Sequence, residues 1–161
     1  MKYAFDTNVF VDGVRTEKTQ ADILRFLPRA PFTHLGAVVM QELAAGPQTP
    51  QAAKALPDGV FEPFERRRRV FSPSSAAFVE SGRVIARLAA REGWQSFDEK
   101  PSLVTDALIA VSCREAGVTL ITKGSDFTRL SPLISRLSSR GAVALVVLMS
   151  HLACQLNRRR S

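Results

Sequence analysis

Short, continuous apolar runs alternate with amphipathic stretches along this chain of 161 residues. The runs predict buried strands at about 2–6, 32–35, 118–122 and 142–147. Apolar residues at helical spacing predict helices at about 18–27, after Gly36, at about 72–91 and at about 102–116, with one or two shorter helices in 48–69. Helices that alternate with such strands favour an α/β fold, in which helices cover both faces of a short, central, mainly parallel sheet.

Proline and glycine mark the ends of two of the predicted helices. The Gly46-Pro47 pair ends the helix after Gly36, and Ser72-Pro73 begins the long helix. The expected apolar face of the long helix carries Phe78, Ile85, Leu88 and Ala89. The segment that follows is predicted to be a polar loop that holds Trp94 and Phe97.

Composition is typical of a soluble globular protein. Apolar residues make up 45% and charged residues 23% of the chain, and its length suffices for one domain with its own core. The longest apolar run, 142–149, is too short to cross a bilayer, and the first residues lack the pattern of a signal peptide. We therefore expect one cytoplasmic domain over 1–161 with no membrane contact, a disordered basic end at 155–161, and reduced core cysteines at positions 113 and 154.

Four carboxylates lie within or just after apolar runs, namely those of Asp6, Glu42, Asp106 and Asp126. An ionised carboxylate among hydrophobic side chains costs several kcal/mol unless a positive charge compensates it. Asp6 and Asp126 both follow predicted parallel strands, so they are expected at the same edge of the sheet. Glu42 and Asp106 lie in predicted helices that could face this edge too.

Each acid also has a purely structural explanation. Asp6 would cap the turn after its strand, and Asp126 would cap a short helix. Asp106 would be the N-cap of a helix that begins at Ala107, and Glu42 would face solvent. Together these explanations are weaker, because the sequence around Asp106 is so apolar that its helix must be buried on most faces.

Four converging carboxylates would require a cation. Two like charges about 4 Å apart repel by ~4 kcal/mol at an effective dielectric of about 20. An all-oxygen site without Cys or His selects hard ions, so we expect Mg²⁺ as the cofactor, with Mn²⁺ able to substitute. Such an ion lowers the pKa of a water that can then attack a phosphodiester, without any nucleophilic side chain.

The rest of the chain is basic. Lys and Arg number 22 against 15 Asp and Glu, a net charge of +7, which favours a polyanionic partner such as RNA. Solubility through charge repulsion would explain the same excess. Candidate phosphate contacts are Lys123 and the run Arg66, Arg67, Arg68 and Arg69, with Arg158–Arg160 as a weaker candidate. Four consecutive arginines cannot share one helix face, so a solvated surface explains that run equally well.

The acids occur in four short segments: Phe5-Asp6-Thr7-Asn8-Val9-Phe10-Val11-Asp12, Gln41-Glu42-Leu43, Thr105-Asp106-Ala107-Leu108-Ile109-Ala110 and Leu120-Ile121-Thr122-Lys123-Gly124-Ser125-Asp126-Phe127. In order, spacing and total length, across about residues 1–130, they resemble the signature segments of PIN-domain ribonucleases, and most of all those of VapC-type toxins. The combination is far more specific than the Asp-Thr-Asn triplet alone.

This resemblance implies a PIN-like three-layer sandwich and a Mg²⁺-dependent endoribonuclease that leaves a 3′-hydroxyl and a 5′-phosphate. Its catalytic metal ligands would be Asp6, Glu42, Asp106 and Asp126. Asn8 and Thr122 would orient carboxylates or metal waters through hydrogen bonds. The implied partners are an RNA substrate, a small cognate antitoxin that occludes the site, and a second copy of the chain in a homodimer.

The fourth segment departs from the family pattern. Family members often carry Asp or Asn two residues after the Thr, whereas this chain has Gly124. This departure leaves the role of Asp126 open, and Asp12 is a spare acid near the first segment.

Two other functions are compatible with the sequence. A PIN-like module that holds RNA or a protein without cleaving is allowed by the departure at Gly124. A phosphoacceptor receiver domain also gathers acids, a Thr and a Lys at strand ends, but its acceptor Asp ends a strand, whereas the Asp106 segment has a helical pattern.

Overall fold

The computed structural model describes residues 2–14, 30–46, 50–95, 97, 100–135 and 145–147. Its strands are β1 (Tyr3–Phe5), β2 (Thr33–Gly36), β3 (Val70–Phe71), β4 (Thr119–Thr122) and β5 (Leu145–Val147). They form one sheet in the order β3, β2, β1, β4, β5, and every neighbouring pair is parallel.

The helices of the described residues lie between these strands in sequence. They are α1 (Thr7–Val14), α2 (Ala37–Ala45), α3 (Pro50–Leu56), α4 (Glu62–Glu65), α5 (Ser75–Glu92), α6 (Ser102–Glu115) and α7 (Asp126–Ser135), and a π-helical segment, Pro57–Phe61, joins α3 to α4. The predicted α/β fold with a parallel sheet is confirmed. None of these described helices combines the length and the apolar character needed to span a membrane.

The parallel register brings the carboxyl ends of the central strands to one edge of the sheet. β1 lies between β2 and β4, with Tyr3 opposite both Thr33 and Thr119. The Asp6 amide donates to the Ile121 carbonyl at 3.0 Å, which extends the pairing one residue past β1. Side chains that follow β1 and end β4 are therefore neighbours at this edge, as the sequence predicted.

Helix α6 is buried on most of its surface. It packs against α5 and α7, and its buried residues are Leu103, Ala107, Ile109, Ala110, Val111, Ser112 and Cys113. This burial confirms the expectation for the helix that carries Asp106. Burial, and then the charge of Asp6, raise the pKa of the Cys113 thiol to about 12, so the thiol stays protonated.

Most predicted elements appear within a few residues of their expected bounds. The strand at 142–147 is described only over Leu145–Val147. The predicted helix at 18–27, the basic end at 155–161 with Arg158–Arg160, and Cys154 lie outside the described residues.

Three features of the fold differ from the sequence-based expectations. Helix α1, over Thr7–Val14, was not predicted. Strand β3 was not predicted, because two residues after an arginine run are too short to show a strand pattern. Phe78 was expected on the buried face of α5 but is 57% exposed. The buried stripe of α5 begins at Ala77 and continues through Ser81 and Val84, which leaves Phe78 outside it on the first turn.

The arginine run separates into an exposed part and one buried residue. Arg66 pairs with Glu62 at 3.7 Å, and the Arg67 guanidinium donates to the Pro63 carbonyl at 2.9 Å, so both lie against α4. Arg69 is buried, and its guanidinium donates to the backbone carbonyls of Ala30 and Thr33.

The guanidinium of Arg69 also lies 5.6 Å from the centre of the Phe64 ring. Arg69 thus ties the start of β2 to the end of α4. The expectation that it contacts substrate needs correction, because its donors bind the protein's own carbonyl groups.

Replacing Arg69 with Ala should destabilise the protein. The change removes charged hydrogen bonds to two carbonyls and the contact with Phe64, which we expect to cost about 2 kcal/mol. Thermal denaturation checks this value, with Arg66→Ala as the control, since an exposed ion pair contributes less than ~1 kcal/mol. Equal melting temperatures for the two variants would contradict the structural role of Arg69.

Candidate active site

The acids predicted from the sequence come from four different elements. Asp6 follows β1, Glu42 is the sixth residue of α2, Asp106 is the fifth residue of α6, and Asp126 is the first residue of α7. The charges of the other three all act on Asp106, so the fold brings the four carboxylates into one electrostatic site.

Asp6 is buried and held by two donors of the protein. Its Oδ1 accepts the Thr7 amide at 2.8 Å, and its Oδ2 accepts the Thr122 hydroxyl at 2.8 Å. Burial raises the pKa of Asp6, these two hydrogen bonds oppose the rise, and the charge of Glu42 adds to it. Asp6 therefore does close the turn after β1, and its two oxygens also face the site.

The Thr122 hydroxyl is the centre of a small hydrogen-bond network. It accepts the side-chain amide of Asn8 at 3.2 Å and the backbone amide of Gly124 at 2.9 Å while it donates to Asp6. The Lys123 backbone amide donates in turn to the side-chain oxygen Oδ1 of Asn8 at 3.3 Å. The structure thus places Asn8 and Thr122 behind Asp6, where the sequence predicted residues that orient a carboxylate.

Gly124 allows this network to be compact. A Cβ atom at this position would lie 3.2 Å from Asn8 Nδ2 and 3.3 Å from both Thr122 Oγ1 and Phe127 Cδ2. These separations are tighter than ordinary van der Waals contacts, so a larger residue would displace one of its neighbours by a few tenths of an ångström. The departure at Gly124 therefore has a packing reason in this chain.

Glu42 is half-buried and is fixed by Thr7. The Thr7 hydroxyl donates to Glu42 Oε2, so one threonine contacts Asp6 through its amide and Glu42 through its side chain. Sequence reasoning assigned no role to Thr7, although it lies between Asp6 and Asn8 in the first signature segment.

Asp106 is half-buried and lies inside α6, which begins at Ser102, so the N-cap explanation is wrong. Its pKa is raised from 3.8 to about 7. Burial is the largest cause, followed by the charges of Asp6, Glu42 and Asp126, while Lys100 opposes the rise. The position of Asp106 inside a helix also excludes the receiver-domain arrangement, whose acceptor Asp ends a strand.

Asp126 differs from the other acids because two cations hold it. Its Oδ1 accepts Lys100 Nζ at 2.9 Å and Arg129 Nη1 at 3.2 Å, and Arg129 also pairs with Glu92. Burial alone would raise the pKa of Asp126, but the hydrogen bonds and charges of Lys100 and Arg129 lower it. Asp126 thus anchors a small ion-pair network beside the other acids.

Lys100 and Arg129 were missed by the sequence reasoning, which named Lys123 as a candidate phosphate contact in this segment. Arg129 stands three residues after Asp126 on one helix, a spacing at which side chains meet, so this pair could have been found. Lys100 lies 26 residues before Asp126, and no local pattern indicates that contact.

The donor set fits a hard divalent cation, although the acids are not arranged around one. Among the described residues, no group of three or more Asp, Glu, His or Cys side chains is close enough to hold a metal ion. Thr7 and Thr122 hold Asp6 and Glu42, while Lys100 and Arg129 hold Asp126. A carboxylate has about four lone-pair positions, so each of these acids keeps free acceptor sites for a cation.

Three further candidates are placed as follows. Asp12 lies in α1, Lys123 is an exposed residue directly after β4, and Arg68 is an exposed residue of the turn after α4. Arg68 adopts a positive φ of 53°, which a side chain tolerates poorly, so this turn constrains its backbone.

The chain is similar in sequence to one protein family and similar in fold to several solved structures. The PIN domain family model matches residues 3–132. No curated protein matches the sequence significantly.

Three solved structures show the shared fold. DNA-bound VapBC from Salmonella typhimurium superposes with a TM-score of 0.61 at 19% identity, over 91% of this chain and 97% of that chain. FitAB bound to the IR36 DNA fragment gives 0.59 at 14% identity, over 93% and 99%. FitAcB from Neisseria gonorrhoeae gives 0.55 at 17% identity, over 80% and 92%.

Without metal, the charge of Asp106 should destabilise the folded protein near neutral pH. Because its folded pKa of about 7 exceeds the usual 3.8, the folded state keeps a proton that the unfolded state has lost between these values. The stability contributed by the protonated carboxyl is fully present below this window and is lost as the pH rises through it. In EDTA, Asp106→Asn should therefore melt higher than the wild type at neutral pH and equally at acidic pH.

The expected gain is at least ~2 °C, the shift that about 1 kcal/mol produces at this chain length. Asp58→Asn, which neutralises an exposed acid, is the control and should leave the melting temperature unchanged at both pH values. A melting temperature of Asp106→Asn that is lower at neutral pH, or a gain that does not depend on pH, would contradict repulsion at this site.

Proposed function

The chain belongs to the PIN domain family, and from this membership we propose that it is a Mg²⁺-dependent endoribonuclease. PIN domains are generally nucleases and typically use divalent metals. The finer assignments to RNA, to hydrolysis of internal phosphodiesters and to Mg²⁺ are our proposal.

The observation that carries this proposal is the electrostatic coupling of the four acids. Three carboxylates from separate elements act on Asp106, which the fold nevertheless keeps half-buried. A structural role for Asp106 alone would not require three other acids to converge on it from different elements. Such a cluster is typical of a cation site.

We assign the metal to Asp6, Glu42 and Asp106, with Asp126 as the fourth acid at its side. All the donor atoms are carboxylate oxygens, which favour Mg²⁺ or Mn²⁺ over softer ions. When bound, the ion supplies a water of lowered pKa and a positive charge that faces the phosphate. This assignment needs no nucleophilic side chain from the protein.

The chain's own residues orient the acids and neutralise charge. Thr122, supported by Asn8, fixes one oxygen of Asp6, and Thr7 fixes Glu42. Lys100 is held at the site by Asp126, and 48% of its side chain is exposed. Its ammonium group can therefore donate a further hydrogen bond to a substrate phosphate. We propose that Lys100, rather than the buried Arg69, is the principal phosphate contact.

We further propose that the protein is the toxin of a toxin–antitoxin pair. The resemblance to VapC-type toxins and the fold shared with the VapBC and FitAB structures support this role. A small antitoxin would then occlude the four acids, the chain would dimerise, and the protein would act in the cytoplasm as a single domain over 1–161. The family model covers 3–132 of this span.

One observation favours a non-catalytic PIN-like module as the second candidate. The Asp126 carboxylate is neutralised by two cations, so it offers a metal less net negative charge than the other three acids do. Such a module would bind RNA or protein through the same edge of the sheet and would bind metal without turnover.

The nuclease proposal predicts metal-dependent RNA cleavage that Asp106→Asn abolishes. The change removes one charge and one oxygen ligand from the centre of the acid cluster, so cleavage should fall at least about 100-fold. The measurement follows end-labelled structured RNAs with purified protein in Mg²⁺, Mn²⁺ or EDTA.

Asp106→Asn, prepared in the same way as the wild type, excludes a contaminating nuclease. Asp58→Asn neutralises an exposed acid away from the four carboxylates, so it is the matched control and should cleave like the wild type. Calorimetry of Mg²⁺ binding separates the two candidate functions. Binding without cleavage would favour the non-catalytic module, and the absence of both would contradict the acid site.

Lys100→Ala should weaken substrate binding more than the chemical step. Loss of one charged hydrogen bond to phosphate is expected to lower kcat/KM about ten-fold, mostly through KM. Steady-state cleavage kinetics measure this effect, with Lys54→Ala, a change of an exposed lysine on α3, as the control. If both variants behave alike, Lys100 is not a phosphate contact.

A further inference from the structure

The connection between α5 and α6 is tied to the site at both of its ends. Glu92, the last residue of α5, pairs with Arg129, which in turn pairs with Asp126. Lys100, two residues before α6, pairs directly with the same Asp126 oxygen. The connection therefore begins and ends within an ion-pair network that includes the fourth acid.

Trp94 lies in this connection, directly after the end of α5. Gly93 ends α5 with a φ of +84°, a conformation that favours glycine, and so turns the chain out of the helix immediately before Trp94. The Trp94 side chain is 66% exposed, and it is the chain's single tryptophan.

The Trp94 ring contacts the ring of Phe97. Its centre lies 5.6 Å from that of the Phe97 ring, at an interplanar angle of 46°, and Phe97 packs against the hydrophobic core. One exposed aromatic residue needs no explanation by itself. A ring that contacts a core-packed phenylalanine, in the same connection as a candidate phosphate contact, has the features of a stacking platform.

We propose that Trp94 binds an unpaired RNA base next to the phosphate that is cleaved. This inference rests on the proposed nuclease function and adds a base subsite to it. A nucleotide carries a flat base and an anionic phosphate, and this connection offers a matching pair of groups: the exposed ring of Trp94 and the ammonium of Lys100.

Three cations on or beside this connection are at least partly exposed. Lys100 keeps 48% and Arg129 29% of its side chain exposed despite their ion pairs, and Arg91 is exposed in the last turn of α5. Arg91 precedes Trp94 in the chain and Lys100 follows it, and Arg129 is paired with Glu92 and with the Asp126 carboxylate that binds Lys100. Phosphates can use all three, and an unpaired base can stack on the ring without any sequence requirement.

The test uses the full chain carrying Asp106→Asn, so that the RNA survives in Mg²⁺. A short, mixed-sequence, single-stranded RNA should quench the emission of Trp94, which reports on this position alone. The same sequence as a duplex should not quench it, because its bases are already stacked. Anisotropy of the fluorescein-labelled RNA gives the affinity independently.

Trp94→Ala in this parent should weaken binding of the single strand about ten-fold, which corresponds to about 1.4 kcal/mol. Trp94→Phe keeps a flat ring and should stay within roughly three-fold of the parent, so it also decides the case if the Ala variant folds poorly. The matched control is Phe32→Ala, which removes another exposed aromatic ring, 58% accessible, and should change nothing.

The subsite would be overturned if RNA left the emission of the parent unquenched and bound Trp94→Ala with unchanged affinity. A protein partner would then be the remaining occupant of this ring. If the parent binds no RNA at all, the subsite and the proposed nuclease function both fall. If the parent binds and Trp94→Ala binds equally, only the subsite falls.

Discussion

Repulsion among the four carboxylates is the constraint on which the rest of the site depends. Asp106 shares its surroundings with Asp6, Glu42 and Asp126, and its pKa rises to about 7. The fold compensates for part of this charge with the protein's own donors. Thr122 donates to Asp6 and Thr7 to Glu42. Two cations bind Asp126. A divalent ion would compensate for the rest, which is why the arrangement indicates a metal centre.

The sheet and its buried helix hold this cluster in place. Parallel pairing of β1 with β2 and β4 fixes the positions of Asp6 and Thr122 at one edge, and the apolar surface of α6 holds Asp106 there despite the charge. The hydrophobic packing of α6 thus stabilises a residue that would otherwise move to solvent. Arg69 has a related structural role at the other side of β2, where its buried guanidinium satisfies two backbone carbonyls.

The sequence predicted most of the strands and helices, and it singled out four acids whose charges the fold couples, because both inferences depend on local patterns. The role of these acids as metal ligands stays a prediction. Continuous apolar runs identify parallel strands, and an acid inside such a run stands out without any knowledge of contacts. The pairing of Lys100 with Asp126 was not predictable in this way, since it joins residues from distant elements and depends on how α6 and α7 pack.

Burial of single residues within a polar or charged run was equally hidden. Four adjacent arginines look alike in sequence, yet only the backbone turn after α4 directs Arg69 inward. The prediction that Phe78 is buried was wrong for the opposite reason. An apolar residue at helical spacing still lies outside the core when it falls beside the buried stripe of its helix. The packing reason for Gly124 also required the positions of Asn8 and Phe127.

The most direct test of a metal centre formed by these acids is a crystal structure of the protein grown with Mn²⁺, with anomalous diffraction data used to locate the ion. We expect an anomalous peak within coordination distance of carboxylate oxygens of Asp6 and Asp106, with Glu42 turned towards it. A peak elsewhere, or no peak at this edge of the sheet while the four acids keep the hydrogen bonds and ion pairs described above, would contradict a metal centre built from these acids.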